Sequence, residues 1–241
     1  MIPLSKVMDM PKDAGRFSPF VNDLLAPGRY PDLLEGQHEA RAWEYGMALE
    51  AILQWGNAEH PRAHSGPLEI LDAGSASSNL WQALIAFTSE DIIRVDPNFS
   101  AGAEKYGQQV QHGCALHEYR KIRGEGASVD VLLAISVIEH IPDHQLLPFF
   151  QAAYDLLRPG GLFFLTTDYW NDPHGDGKDR AHFHWMRERI YTPAALIAQG
   201  VQLSKIGFVT FGDTAHIQPW PGPQLYDYAM ASVACTKGFL S

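Results

Sequence analysis

The chain has 241 residues, 46% apolar and 19% charged, with 18 basic against 28 acidic side chains for a net charge of −10. That is the composition of a globular protein long enough to bury a full core without disulfides or a structural metal, and it excludes wholesale disorder. The acidic balance argues against a broad phosphate-binding surface, so no nucleic-acid partner is expected. Cys114 and Cys235 form neither a CxxC nor a metal spacing. They read as reduced thiols of a cytoplasmic protein. The longest apolar stretch falls far short of the roughly twenty residues that span a bilayer. The first fifteen residues carry Lys6, Asp9, Lys12 and Asp13 in place of an apolar signal core, so neither secretion nor a membrane partner is expected.

Residues 1–36 are broken by Pro3, Pro11, Pro19, Pro27 and Pro31 and read as an irregular arm of short turns. Residues 37–241 read as a single domain. Its first helix runs from Gln37 to Trp55, with Trp43, Met47 and Ala51 at four-residue spacing beside Leu49, Ile52 and Leu53. Strands and helices then alternate. Leu68 to Asp72 is a short buried strand ending at Gly74, and Asn79 to Thr88 a helix with Ser77 or Ser78 as its cap. Asp91 to Asp96 is a second strand, Ser100 to Gly107 a short helix and Gln109 to Cys114 a third strand. Val129 to Val137 is the fourth strand. His144 to Leu157 has helical periodicity interrupted by Pro148, which predicts a late start or a bend. Arg158-Pro-Gly-Gly161 is a turn, and Leu162 to Thr167 the fifth strand. Thr192-Pro193 opens a further helix, closed by Gly200. Ile206 to Phe211 and Tyr226 to Thr236 are two last strands that can pair antiparallel. Apolar strands alternating with helices predict a mostly parallel sheet covered on both faces.

The most informative unit is the strand–loop–helix from Leu68 to Leu80, with Asp72-Ala-Gly-Ser-Ala-Ser-Ser78 as its loop. Small residues let a ligand approach the backbone, and a helix start offers free N–H groups. Asp96, at the end of the next strand, is placed to accept both hydroxyls of a ribose lying across the strand ends. A dinucleotide fingerprint wants three glycines; here they are Gly74, Ala76 and Asn79, which disfavours a nicotinamide oxidoreductase. Asp72 opposes a diphosphate and suits a ligand bearing an ammonium group.

These segments resemble the S-adenosylmethionine-dependent methyltransferases with a Rossmann-like fold. The loop at Asp72–Ser78 looks like their glycine-rich motif, and Asp96 matches their ribose-binding acid. Ala134-Ile-Ser-Val-Ile-Glu-His-Ile-Pro142 resembles their fourth-strand segment, and Leu157-Arg-Pro-Gly-Gly-Leu162 the turn before their fifth strand. Arg189-Ile-Tyr-Thr-Pro193 with Ile206-Gly-Phe208 resembles their late helix and sixth strand, and Trp43-Glu-Tyr45 an N-terminal helix seen in some members. The sequence departs from the family where Ala76 and Ser78 stand for glycines, and where Gly113-Cys-Ala-Leu-His117 lacks an adenine-side acid.

The resemblance implies an α/β, Rossmann-like, seven-stranded and mostly parallel sheet with helices on both faces and an antiparallel last strand. It implies an S-adenosylmethionine cofactor site. Asp72 lies near the methionyl end, Ala73, Gly74 and Ser75 line that end, and Asp96 holds the ribose. Pro97 packs on the adenine, Cys114 and Ala115 flank its edge, and Ser136 and Val137 form the floor beneath the sulfonium. His140 faces cofactor or substrate. The acceptor implied is a small molecule methylated at oxygen. A hydroxyl must lose a proton on the way, and His182 or His184, in the polar stretch after the fifth strand, is the candidate base. That stretch also holds Asp172, His174 and Asp176, but no recognised ligand spacing, so no metal is expected. The arm fits either a lid or a homodimer contact. The alternative to an enzyme is a noncatalytic scaffold of the same fold, or a weak cofactor binder.

Overall fold

The computed structural model describes residues 17–26, 29–30, 32–34, 39–58, 66–76, 78–124, 129–169, 182–183, 189–210 and 229–238. The strands are β1 (Ile70–Ala73), β2 (Ile92–Val95), β3 (Ala103–Tyr106), β4 (Gln109–His112), β5 (Val129–Ile135), β6 (Leu157–Tyr169), β7 (His182–Phe183), β8 (Arg189–Ile190), β9 (Phe208–Thr210) and β10 (Ala229–Lys237). The helices are α1 (Pro19–Leu25), α2 (Glu39–Asn57), the single turn α3 (Trp81–Leu84), α4 (Leu116–Arg123), α5 (Asp143–Leu156) and α6 (Pro193–Ile206). One sheet takes the order β3-β4-β2-β1-β5-β6-β10-β9, and β7 and β8 form a separate pair.

The central strands β4, β2, β1, β5 and β6 run parallel, while β10 runs antiparallel to both β6 and β9. Every residue of β1, β2 and β5 is buried. Strand side chains alternate between faces, so burial at every position means that both faces are covered. Helix α2 lies over β5, β6 and β10, and α5 packs against β6, α4 and α6. The expected α/β sheet is thus present with one strand more than the seven expected.

The additional strand is β3. The expected helix over 100–107 is a hairpin, β3 pairing antiparallel with β4 from Ala103↔His112 to Tyr106↔Gln109. Gly102 and Gly107 bracket β3 with positive φ, +105° and +59°. A helix this short has too few internal hydrogen bonds to offset its nucleation cost, whereas the hairpin extends a sheet that already exists.

Three other local expectations are revised. The arm contains α1, whose Ser18 cap accepts the Val21 N–H at 3.3 Å. Phe17 fits against Gly46 of α2, where a Cβ would come within 2.3 Å of its ring. Helix α5 begins at Asp143 and carries Pro148 within it. Finally, α6 continues through Gly200 and ends at Gly207, which has the left-handed φ of +115°. The Arg158–Gly161 turn is a bulge in β6: Val129 pairs with Leu157 but Val131 with Leu162. The Trp55 indole donates to the Gly160 carbonyl of that bulge at 2.9 Å.

The two glycines of α6 should respond in opposite directions. A Cβ at Gly200 meets open space, so Gly200→Ala should raise the unfolding free energy by about 0.5–1 kcal/mol in urea denaturation. Gly207→Ala should lower it by about 1–3 kcal/mol, because alanine there is strained. A destabilising Gly200→Ala would contradict the continuous helix.

Candidate active site

A cavity of about 540 Å³ opens at the carboxyl ends of β1, β2 and β5, the edge at which parallel sheets bind ligands. Of the residues singled out in the sequence, Asp72, Gly74, Ser75, Asp96, Pro97, Ser136, Val137 and His140 line it. Ala73 is buried but does not line it, because it alternates with Asp72 and faces the other side of β1. Cys114 and Ala115 also lie outside the lining: they form the step from β4 into α4, with the Ala115 N–H donating to Glu118 Oε2 at 2.9 Å. The nearby wall is instead Asp96-Pro97-Asn98. The backbone of His182 pairs with Ile190 in the β7–β8 ribbon, and a bridge between Tyr169 and Tyr191 ties that region to the end of β6. His184, Asp172, His174 and Asp176 lie outside the described residues.

The loop after β1 is held from several directions. The Gly74 N–H donates to Val95 O at 2.7 Å. Gly74 has φ +69°, and a Cβ there would come within 2.6 Å of Val137, so this position requires glycine twice over. Asp96 accepts the Ala76 N–H on Oδ2 at 2.8 Å and the Asn98 N–H on Oδ1 at 2.7 Å. Each carboxylate oxygen retains a second lone pair for a ligand hydroxyl. Arg94, two residues before Asp96 and therefore on the same face of β2, reaches under the loop. Its Nη2 donates to Ala76 O at 2.9 Å and Ser78 O at 2.8 Å.

Asp72 is 1% exposed, and its Oδ2 is buried without a hydrogen-bond partner. Burial pushes its pKa up to about 7; Asp96 adds to the rise, while Arg94 and Arg41 oppose it. An orphaned buried carboxylate oxygen on a cavity wall is suited to a cationic group.

Helix α2 supplies what the sequence reading missed, Arg41 and Tyr45, one helical turn apart on the cavity wall. Tyr45 Oη shares a hydrogen bond with Ser78 Oγ at 2.8 Å. Between them on the chain, Glu44 is fully buried. Its Oε1 accepts the Ser136 hydroxyl at 2.6 Å and the Thr166 hydroxyl, and its Oε2 faces Arg41 at 3.0 Å. Ser136 carries a left-handed φ of +51°, and this hydrogen bond with the one from its N–H to Thr166 Oγ1 at 3.0 Å holds it there. Glu139, 3% exposed, accepts from Thr167 through Oε2 and leaves Oε1 without a partner. Burial, with Asp168 beside it, raises its pKa well above the carboxylate range.

The sign of the Asp72 effect on stability is fixed. Below about pH 7 the folded chain holds a proton that the unfolded chain releases near 3.8, the ordinary value for an aspartate. The group's contribution is therefore complete below about pH 4 and is lost as pH rises through about 7. Asp72→Asn removes this titration. Its stability relative to the parent should climb between pH 4 and 7 and then level, by at most about 4 kcal/mol at 1.36 kcal/mol per pKa unit. Urea denaturation across that pH series measures it, and a pH-independent difference would contradict the buried titration.

A methyltransferase-domain family matches residues 22–202. The ubiquinone biosynthesis O-methyltransferase of Methylocella silvestris is 34% identical over 113 residues, 44% of this chain and 42% of that protein. The chain spans about two fifths of the length of the curated relatives it matches. Among solved structures, the Burkholderia thailandensis 1,6-didemethyltoxoflavin-N1-methyltransferase, with its substrate and S-adenosylhomocysteine, superposes with a TM-score of 0.58 at 17% identity, covering 86% of this chain and 82% of that one. The N-methyltransferase NodS from Bradyrhizobium japonicum, also with S-adenosylhomocysteine, gives 0.52 at 10% identity, covering 90% and 96%. At these identities the two structures speak for the fold. The match across residues 22–202, on a sheet whose cavity gathers Asp72, Asp96 and Ser136, places the chain in the methyltransferase-domain family.

Proposed function

We propose that this protein binds S-adenosylmethionine in the cavity at the ends of β1, β2 and β5 and transfers its methyl group to an oxygen of a small molecule. The observation that carries the reading is the pairing of two acids on one cavity wall: Asp72, with an orphaned buried oxygen, and Asp96, with spare lone pairs. The first suits the amino group of the methionyl end, the second the ribose hydroxyls. Arg41, which also lines the cavity, offers a cation for the methionyl carboxylate. Pro97 offers the adenine a flat apolar face. Ser136 and Val137, with backbone fixed by Glu44 and Thr166, form the floor at the reacting end.

When bound, S-adenosylmethionine supplies a methyl already activated by the sulfonium. The protein's share is then alignment of the acceptor, exclusion of water and removal of the acceptor's proton. His182 and His184 are proposed for that last role; the β7–β8 ribbon follows β6, whose end lies at the same edge of the sheet as the cavity. Oxygen as the acceptor atom is favoured by the partial match to O-methyltransferases, and a small acceptor by the acidic net charge. Cys114 and Cys235 are both free thiols, in keeping with a cytoplasmic protein.

A noncatalytic scaffold is the second reading. It is favoured by Asp96, both of whose oxygens already accept backbone N–H groups without any ligand. One titration separates the two. Calorimetry should give micromolar binding of S-adenosylmethionine and S-adenosylhomocysteine and none of NAD; no binding of any would favour the scaffold. Asp96→Ala should weaken cofactor binding by about 1.5–3 kcal/mol, the value of hydrogen bonds to a charged acceptor. Equal affinity in variant and parent would remove the ribose assignment. With an acceptor in hand, His182→Ala or His184→Ala should lower turnover while leaving cofactor affinity nearly unchanged. Full turnover in both would remove the histidines as bases.

A further inference from the structure

We infer that Arg94 is a positioning residue of the cofactor site: its buried guanidinium holds Ser75, Ala76 and Ser78 in a ligand-receiving arrangement and supplies the counter-charge for Asp72. The inference rests on the cofactor reading above for its role in binding, but its structural content stands in the free protein.

Arg94 interrupts an otherwise apolar strand, Ile-Ile-Arg-Val, and is 4% exposed. A guanidinium so placed must find acceptors for its rigid fork of donors. It finds them in the loop. Nε donates to Ser75 Oγ at 3.2 Å, and Nη2 to Ala76 O at 2.9 Å and Ser78 O at 2.8 Å, with Ser75 O at 3.4 Å. Nη1 is anchored to Gln109 Oε1 of β4 at 2.6 Å, and the ring of Phe99 lies 5.1 Å from the guanidinium carbon.

The consequence is clearest at Ala76. This residue has φ +34°, a conformation alanine rarely adopts. Its N–H is taken by Asp96 and its C=O by Arg94. Two side chains from alternate positions of β2 thus grip both polar groups of one strained residue. Sequences with glycine at this position reach such backbone angles without that grip. Here the charged pair does the work of a glycine.

The second part is electrostatic. Arg94 stands opposite Asp72 in the register of β1 and β2. Among the described residues the charged groups acting on Asp72 are Arg94, Asp96 just beyond β2 and Arg41 from α2, with the Tyr45 hydroxyl of α2 also near enough to interact. Of the two cations, Arg94 has the larger effect in favouring the carboxylate.

The test uses the full chain without ligand, then with S-adenosylhomocysteine. Arg94→Gln removes the charge and the fork; Arg94→Lys keeps the charge and loses the fork. In the free protein, carboxyl carbon NMR follows Asp72, and amide hydrogen exchange follows Ala76 and Ser78. For Arg94→Gln, the Asp72 midpoint should move up from about 7 by roughly one unit or more, and both amides should exchange faster. For Arg94→Lys, the midpoint should stay near the parent's while amide protection is lost. The two readouts therefore separate under Lys, which a general loss of stability would not produce. S-adenosylhomocysteine affinity at pH 8 should fall about tenfold or more in Arg94→Gln, and the lower pH limit of binding should move upward. Should Arg94→Gln fail to fold, Arg94→Lys alone decides by that separation. An unchanged Asp72 midpoint in Arg94→Gln, or unchanged amide exchange in Arg94→Lys, overturns the inference. Failure of the parent to bind S-adenosylhomocysteine, with both free-protein effects present, would instead overturn the cofactor reading.

Discussion

Between the ends of β1 and β2 the fold has to balance two carboxylates and a guanidinium with almost no water. Asp72, Arg94 and Asp96 are each at most 4% exposed. Burying a charge is tolerated only where partners and hydrogen bonds replace its hydration. Asp96 and Arg94 meet this condition largely through the loop: Asp96 takes N–H groups and Arg94 takes carbonyls. The loop's shape is therefore the means by which the charges are satisfied. Removing the charges would free the loop, and reshaping the loop would strand the charges. The oxygen left over is Asp72 Oδ2, buried on a residue that lines the cavity.

Helix α2 applies the same logic to the other side of the cavity. Its middle is buried on all sides, with Tyr45, Met47, Ala48, Leu49 and Ala51 essentially inaccessible. Its first turns carry Arg41, Glu44 and Tyr45 across the carboxyl ends of β5 and β6. Glu44 accepts from Ser136 and Thr166, one residue beyond β5 and one within β6, and so ties the two strands together where they meet the cavity. Arg41 both neutralises Glu44 and lines the cavity. An element that by sequence distance is remote from the loop after β1 thus lines the same cavity as that loop.

This arrangement explains what could be read from the sequence. Strands β1, β2, β5 and β6 were legible because each is an apolar run bounded by turn residues, and burial on both faces leaves no other use for such runs. Asp72, Gly74 and Asp96 were legible for a related reason: they end strands, and strand ends fix where a side chain emerges. Pro97, Ser136 and Val137 were reached through the family resemblance of their segments. Arg41 and Tyr45 were not, because nothing in local spacing connects α2 to the loop some thirty residues on. Arg94 had a signal, a lone charge within an apolar strand, which calls for a buried set of acceptors. The hairpin at 103–112 was misread because its first strand is exposed throughout and so has no apolar period to follow. Helix α4 was passed over for a similar reason, since it buries only Leu116 and Tyr119. The end of α6 was misplaced because Gly200 and Gly207 are the same letter; only backbone angle distinguishes the one that stops the helix.

The two ends of the sheet differ in how completely they are satisfied. At the amino ends of the strands, Arg158 meets Asp130 at 2.8 Å and Glu69 at 3.6 Å, Arg123 meets Glu69, and Asp130 accepts the Glu69 N–H at 2.8 Å. At the carboxyl ends, among the described residues, lie both non-glycine positions of positive φ, Ala76 and Ser136. There too lie the buried oxygens of Asp72 and Glu139 without a hydrogen bond, and that of Glu44, whose partner is the Arg41 cation at 3.0 Å. Strain and unmet polar groups each cost stability, and a chain under no other demand would disperse or remove them. Their concentration at one edge is what a site that receives polar and cationic ligand groups would require. The same edge carries the cavity, so the energetic argument and the geometric one select the same place by independent routes.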